Sequence, residues 1–143
     1  MSTESNIAAF RKLIEVGFTN GDLTVADELF SPDALEHQRG SKPGIDGAKA
    51  TITSLHESFS DFELTIVKLV ADGDTVWALN RARGVNTGSV MGFPPTGKSF
   101  EIDVFDVARF EDGKIVEHWG VPDQLGLLIQ LGLMQRPQPV AAR

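Results

Sequence analysis

At 143 residues, 41% of them hydrophobic and 23% charged, the chain is long enough for a real core and is expected to form one domain over residues 1–143. A net charge of −7 argues against nucleic acid or an anionic membrane as the main partner. The absence of cysteine excludes disulfides and thiol nucleophiles and leaves the redox compartment open.

In chain order, the opening Met1-Ser2-Thr3-Glu4-Ser5-Asn6 has no basic segment and no long apolar run. No secretory signal or membrane span is therefore expected, and a cytoplasmic location is the default. Ile7, Phe10, Ile14 and Phe18 recur at helical spacing, which predicts a helix from about Asn6 to Thr19. Asn20-Gly21 stops it, and Asp22 caps a second helix that buries Leu23, Ala26, Leu29 and Phe30 and ends before Ser31-Pro32. Asp33 to Gly44 reads as irregular, with His37 in its middle. A third helix is predicted from about Asp46 to Phe59, with Ala48, Ile52, Leu55 and Phe59 on one face.

Strand patterns follow. Phe62, Leu64 and Ile66 alternate with polar residues, and Ala71-Asp72-Gly73-Asp74 is a tight turn. Thr75 to Thr87 predicts a second strand, and Gly88 to Gly97 a loop, because Pro94-Pro95 forbids a central strand. Ser99 to Phe110 predicts a third strand, turned by Glu111-Asp112-Gly113 into a fourth, Lys114 to Val121. Gln124 to Leu133 reads as a short apolar helix, and residues 136–143 as a loose tail. Helices segregated from antiparallel hairpins give an α+β fold, in which a strongly curved sheet wrapped around the N-terminal helices forms a cone with one open mouth.

Acid–base chemistry is best sought in Glu117-His118-Trp119-Gly120-Val121-Pro122-Asp123, where a strand end meets a helix start. Asp123 has two readings. As a general base it would have its pKa raised by apolar neighbours. As an N-cap it would accept backbone N–H bonds and make a poor base. Strand periodicity puts Val116, His118 and Gly120 on one face and Glu117, Trp119 and Val121 on the other. His118 could hydrogen-bond a substrate carbonyl, orient Asp123, or be satisfied by the backbone. His37 is either a lid residue over the cone mouth or a solvent-exposed loop histidine. Asp103 and Asp106 point to opposite faces of the third strand; either could reach the cavity, with a solvated face as the default. Arg81 and Arg83 share a face and could bind a substrate carboxylate or phenolate, but pairing with acidic neighbours across the sheet is expected. The histidines lack metal-site spacing, and no nucleophile elbow, phosphate-cradling loop or dinucleotide fingerprint occurs.

Two segments carry a resemblance. Thr87-Gly88-Ser89-Val90-Met91-Gly92-Phe93-Pro94-Pro95-Thr96-Gly97-Lys98 and Arg109-Phe110-Glu111-Asp112-Gly113-Lys114-Ile115-Val116-Glu117-His118-Trp119 resemble motifs of the SnoaL-like polyketide cyclases, or ester cyclases. Asp123-Gln124-Leu125-Gly126-Leu127-Leu128 and Gln130-Leu131-Gly132 also resemble the family. The likeness is close over Thr75 to Leu133 and looser in the helical half. It implies the cone-shaped fold of the nuclear transport factor 2-like superfamily, a homodimer through the sheet face, and an activity without cofactor or metal. The implied reaction is intramolecular aldol ring closure of a polyketide methyl ester, with Asp123 as the acid/base aspartate and His118 assisting. Trp77, Met91, Phe105 and Trp119 would then line a cavity for a small apolar or aromatic molecule, the two tryptophans being otherwise core residues. Many relatives carry histidine where this chain has Asn86 after Gly84-Val85. Asn86 can donate a hydrogen bond to substrate but cannot shuttle a proton, which implies a changed substrate or reaction. The competing readings are a non-catalytic small-molecule-binding module, and an isomerase or hydrolase on the same fold.

Overall fold

The computed structural model describes residues 2–141. Helix α1 (Thr3–Lys12) starts at Ser2, whose hydroxyl accepts from Ser5 N, and then widens into π-helical turns over Leu13–Thr19. Helix α2 (Thr24–Leu29) follows a turn in which Asp22 accepts from the backbone and hydroxyl of Thr24. Those two hydrogen bonds hold the Asp22 carboxyl below its ordinary pKa. Strand β1 (Phe30–Glu36) comes next, then helix α3 (Gly44–Ser58). Strands β2 (Phe59–Asp72), β3 (Thr75–Asn86), β4 (Ser99–Glu111) and β5 (Lys114–Pro122) form antiparallel hairpins, and helix α4 (Gln124–Gln130) closes the chain. Residues 135–141 carry no regular structure, and the last two residues of the expected tail lie outside the described residues.

The sheet order is β1-β5-β4-β3-β2, with β1 parallel to β5. The expected cone is therefore built from five strands rather than four. The segment read as irregular begins with a strand because its partner is remote in sequence. Pro32 and Asp33 hide the strand pattern, yet both are tolerated at a sheet edge, where one side of the backbone is unpaired.

One face of the sheet packs on the helices. Along β3 the buried positions are Val76, Ala78, Asn80, Ala82, Gly84 and Asn86, a strict period of two. Along β4 the same phase runs through Phe100, Ile102, Asp106, Ala108 and Phe110. Register shifts between Ser60 and Glu63, between Ile66 and Lys68, and beside Arg109 bend the strands, as bulges do. The bent sheet and the helices enclose the core, in which Phe10, Leu13, Ile14, Ile52 and Leu131 are almost wholly buried. Burying a side chain of this kind contributes about 1.5–3 kcal/mol.

Candidate active site

A cavity of about 180 Å³ lies between the helices and the inner face of the sheet. Leu13, Ile14 and Phe18 from the π-helical turns, Thr51 and Leu55 from α3, and Phe59, Phe62, Ala82 and Ile102 from the sheet line its walls. Glu36, Gln38, Ser41, Asp106 and His118 bring polar groups to it, and Gln124, itself exposed, marks the rim.

His118 is 8% exposed and bridges two carboxylates. Its Nδ1 lies 2.8 and 2.9 Å from the two Glu36 carboxylate oxygens, and its Nε2 lies 2.9 Å from Asp106 Oδ1. Asp106 Oδ2 accepts from Asn80 Nδ2 at 2.6 Å, and Glu36 Oε1 accepts from Gln38 N at 2.9 Å. Burial works against a charged imidazole here, but the hydrogen bonds and charges of Asp106 and Glu36 outweigh it, and the His118 pKa is raised to about 9. At neutral pH the ring is therefore an imidazolium donating through both nitrogens. The chain of groups Glu36–His118–Asp106–Asn80 crosses β1, β5, β4 and β3 in that spatial order. Each member sits in the inward phase of its strand.

Asn80 is wholly buried, and its Oδ1 has no hydrogen-bond partner among the described residues. A buried unsatisfied carbonyl costs about 1–3 kcal/mol.

The other residues singled out in the sequence lie elsewhere. Asp123 is exposed and is the N-cap of α4, its Oδ1 accepting from Gly126 N at 2.9 Å. Pro122 and Gln124 line the cavity, whereas Asp123 between them is not among the lining residues. His37 also lies outside the cavity. Its ring stacks on Trp119 at 4.7 Å, and its Nε2 meets Glu117 at 2.7 Å. Alternation explains the displacement, because Glu36 and Gln38 face inward and His37 between them faces out. Together with Arg109, His37 holds the Glu117 carboxyl below its ordinary pKa.

Trp77 and Phe105 are 52% and 57% exposed on the outer face of the sheet, and Trp119 lies half-buried on the same face under His37. Met91, 54% exposed, sits on the loop after β3 and takes a contact from Gln124 Nε2 at its sulfur. Asn86 is wholly buried and holds that loop: its Nδ2 donates to the carbonyls of Ser58 and Gly88, and its Oδ1 accepts from Thr96 N and Oγ1. None of the six residues expected to bind substrate lines the cavity, whereas His118 does. Asp103 pairs with Arg81, and Glu63 with Arg83, on exposed surface.

Glu36, Gln38 and Asn80 escaped the sequence reading, and Asp106, for which a solvated face was the default, is buried and lines the cavity. A signal existed for Asp106: it falls in step with Phe100, Ile102 and Ala108, so its strand phase is that of a buried residue. Glu36 and Gln38 gave no comparable signal.

The SnoaL-like polyketide cyclase model matches residues 8–131. The chain belongs to that family. The family's aklanonic acid methyl ester cyclase DnrD of Streptomyces peucetius is 32% identical over 137 residues, covering 92% of this chain and 92% of that protein. The nogalonic acid methyl ester cyclase of Streptomyces nogalater is 31% identical over 121 residues, 80% of this chain and 89% of that protein. Among solved structures, TsrD from Streptomyces laurentii superposes with a TM-score of 0.86 at 28% identity, covering 94% of this chain and 99% of that one. These curated relatives are named as cyclases, so the chain is an enzyme of that family, and its α+β fold is the one its solved neighbours share.

Proposed function

We propose that this protein is a polyketide cyclase that closes a ring by intramolecular aldol addition, with Asp106 as the acid/base group. The observation that carries the reading is the buried Glu36–His118–Asp106 chain opening into a largely apolar cavity. The relatives named as methyl ester cyclases support the substrate class, a polyketide ester with an acidic methylene.

The steps follow from the geometry. A methylene between two carbonyls is already acidic, and a fixed carboxylate can remove its proton. The Asp106 carboxylate takes that proton, and the carbanion attacks a ketone carbon of the same chain. A C–C bond forms, the carbonyl electron pair moves to oxygen, and protonated Asp106 returns the proton to the alkoxide. Nothing is gained or lost, so the product is an isomer. His118 holds Asp106 in place and compensates its charge, Glu36 fixes the ring, and the apolar walls fold the substrate so that the carbon centres meet. The cavity, about 180 Å³, is smaller than pockets that enclose drug-sized ligands, at about 300–1,000 Å³. It therefore receives the reacting end of the polyketide, and the remainder extends past Gln124.

A homodimer through the outer sheet face belongs to the same proposal. Trp77, Phe105 and Val121 expose apolar surface there, while the nearby arginines Arg81 and Arg109 are paired with acids. A chain of net charge −7 repels its own copy least through such a locally balanced, apolar face.

The test is a ring-closure assay on aklanonic and nogalonic acid methyl esters, followed by retention time and visible absorption. Asp106→Asn should reduce kcat by about 10²-fold or more. Asp123→Asn should retain turnover. Full activity in Asp106→Asn would remove Asp106 from the mechanism, and no turnover of either ester by the wild type would count against ring closure of these substrates.

A further inference from the structure

Gln38 and Gly120 form a pairing that the acid/base assignment leaves unused. Gly120 lies in the extended body of β5 and has no positive φ that would require glycine. Glycine there weakens the strand relative to alanine. Space supplies the reason for it. A Cβ on Gly120 would collide with Gln38 Oε1, lie 2.8 Å from Gln38 Cδ, and lie 3.1 Å from His118 Cε1. Gly120 also stands directly opposite Asp106 in the β4–β5 ladder. The absent side chain therefore leaves a slot beside the acid/base pair, and the Gln38 amide lies in it.

The backbone of Gln38 is fixed while its side chain is unassigned. Its N donates to Glu36 Oε1 at 2.9 Å, and its carbonyl accepts from Ser41 N at 3.1 Å. Neither side-chain amide atom has a hydrogen-bond partner among the described residues, although the residue is half-buried and lines the cavity. With Oε1 against Gly120, the Nε2 donor is left without an acceptor. An amide donor held beside the acid/base pair, in a largely apolar cavity, suits a substrate oxygen. Both nitrogens of His118 are already engaged by its two carboxylates, and Asn80 Nδ2 donates to Asp106.

We propose that Gln38 Nε2–H donates a hydrogen bond to the substrate carbonyl oxygen that becomes the alkoxide, in the slot that Gly120 keeps open. The inference rests on the cyclase reading for the identity of that oxygen. As the C–C bond forms, the carbonyl π electrons move onto the oxygen. Gln38 stabilises that charge without transferring a proton, and Asp106 then delivers one. A preplaced donor at a developing oxyanion contributes about 10²–10³-fold to turnover.

The test uses two probes of nearly equal shape, acetophenone and α-methylstyrene, titrated by NMR into wild type, Gln38→Leu and Gly120→Ala. The ratio of the two affinities isolates the carbonyl oxygen from the shared apolar contact. It should fall by about tenfold in Gln38→Leu, the loss of one hydrogen bond in a buried setting. Gly120→Ala should lower it similarly by displacing the amide, and the acetophenone carbonyl stretch should move toward its value in an apolar solvent in both variants. On a cyclised ester, kcat of Gln38→Leu should fall about 10²-fold with KM little changed. An affinity ratio unchanged in Gln38→Leu overturns the proposal whether or not the protein cyclises esters. A fallen ratio in a protein that turns over no ester keeps Gln38 as the carbonyl donor while the cyclase reading fails. Wild type that binds neither probe overturns the carbonyl-donor proposal, and ester turnover decides the cyclase reading separately.

Discussion

His118 has no free nitrogen for a substrate: Glu36 takes Nδ1 and Asp106 takes Nε2, at 2.8 and 2.9 Å. Its role is to hold two carboxylates at one end of an apolar cavity, and its charge state decides whether they stay there. The folded pKa of about 9 lies above the ordinary 6.5, so the stabilisation is complete below about pH 6.5 and is lost as pH rises through 9. The linkage amounts to on the order of 3 kcal/mol. Melting temperature should therefore decline between pH 6.5 and 9 in the wild type, and His118→Gln should flatten that decline. An unchanged slope in His118→Gln would mean that another group titrates. At Asp123 a different loss is expected. Asp123→Ala removes the cap of α4, and chemical denaturation should register about 1 kcal/mol.

At the scale of elements, two segments do work that their composition conceals. Strand β1 is an edge strand whose parallel pairing with β5 places Glu36 opposite His118. The loop between β3 and β4 is held chiefly by the wholly buried side chain of Asn86, helped by Ser58 Oγ donating to the Ser89 carbonyl and by a close backbone approach in which a Cβ on Gly88 would run into the Glu57 carbonyl. Asn86→Ala strips the loop of four side-chain hydrogen bonds and leaves Thr96 N without its acceptor. The expected cost is about 2–3 kcal/mol, read from the denaturant midpoint, with amide exchange accelerated in residues 88–97. If exchange there stays slow, the loop is held by something other than Asn86. The expectation that Asn86 bears on substrate chemistry gives way at this scale to an anchoring role, since both ends of its amide face backbone.

Over the whole molecule, the sheet divides the apolar residues into two populations. The inner face and the helices share the core, and the outer face exposes Trp77, Phe105 and Val121. If the proposed dimer forms there, Trp77→Glu combined with Phe105→Glu should give a monomer in sedimentation without loss of helical and strand signal. An unchanged oligomeric state would remove this face from the assembly. The sequence by itself determined the helices, the four hairpin strands, their turns and the shared face of His118 and Gly120, because each depends on neighbours within a few residues: hydrophobic period, Gly and Asp turn chemistry, and strand alternation. It also carried the family, through the motifs flanking the third and fourth predicted strands. Asp123 shows where local reasoning stopped, since both base and cap were compatible with Pro122-Asp123 before a helix. Only the tertiary structure decided that Asp123 caps an exposed helix end while Asp106 meets His118, with Glu36 arriving from a strand 82 residues away in sequence. The reason is physical: a hydrogen-bonded charge cluster depends on which strands lie side by side, and the pairing of β1 with β5 is a long-range contact that no local period encodes.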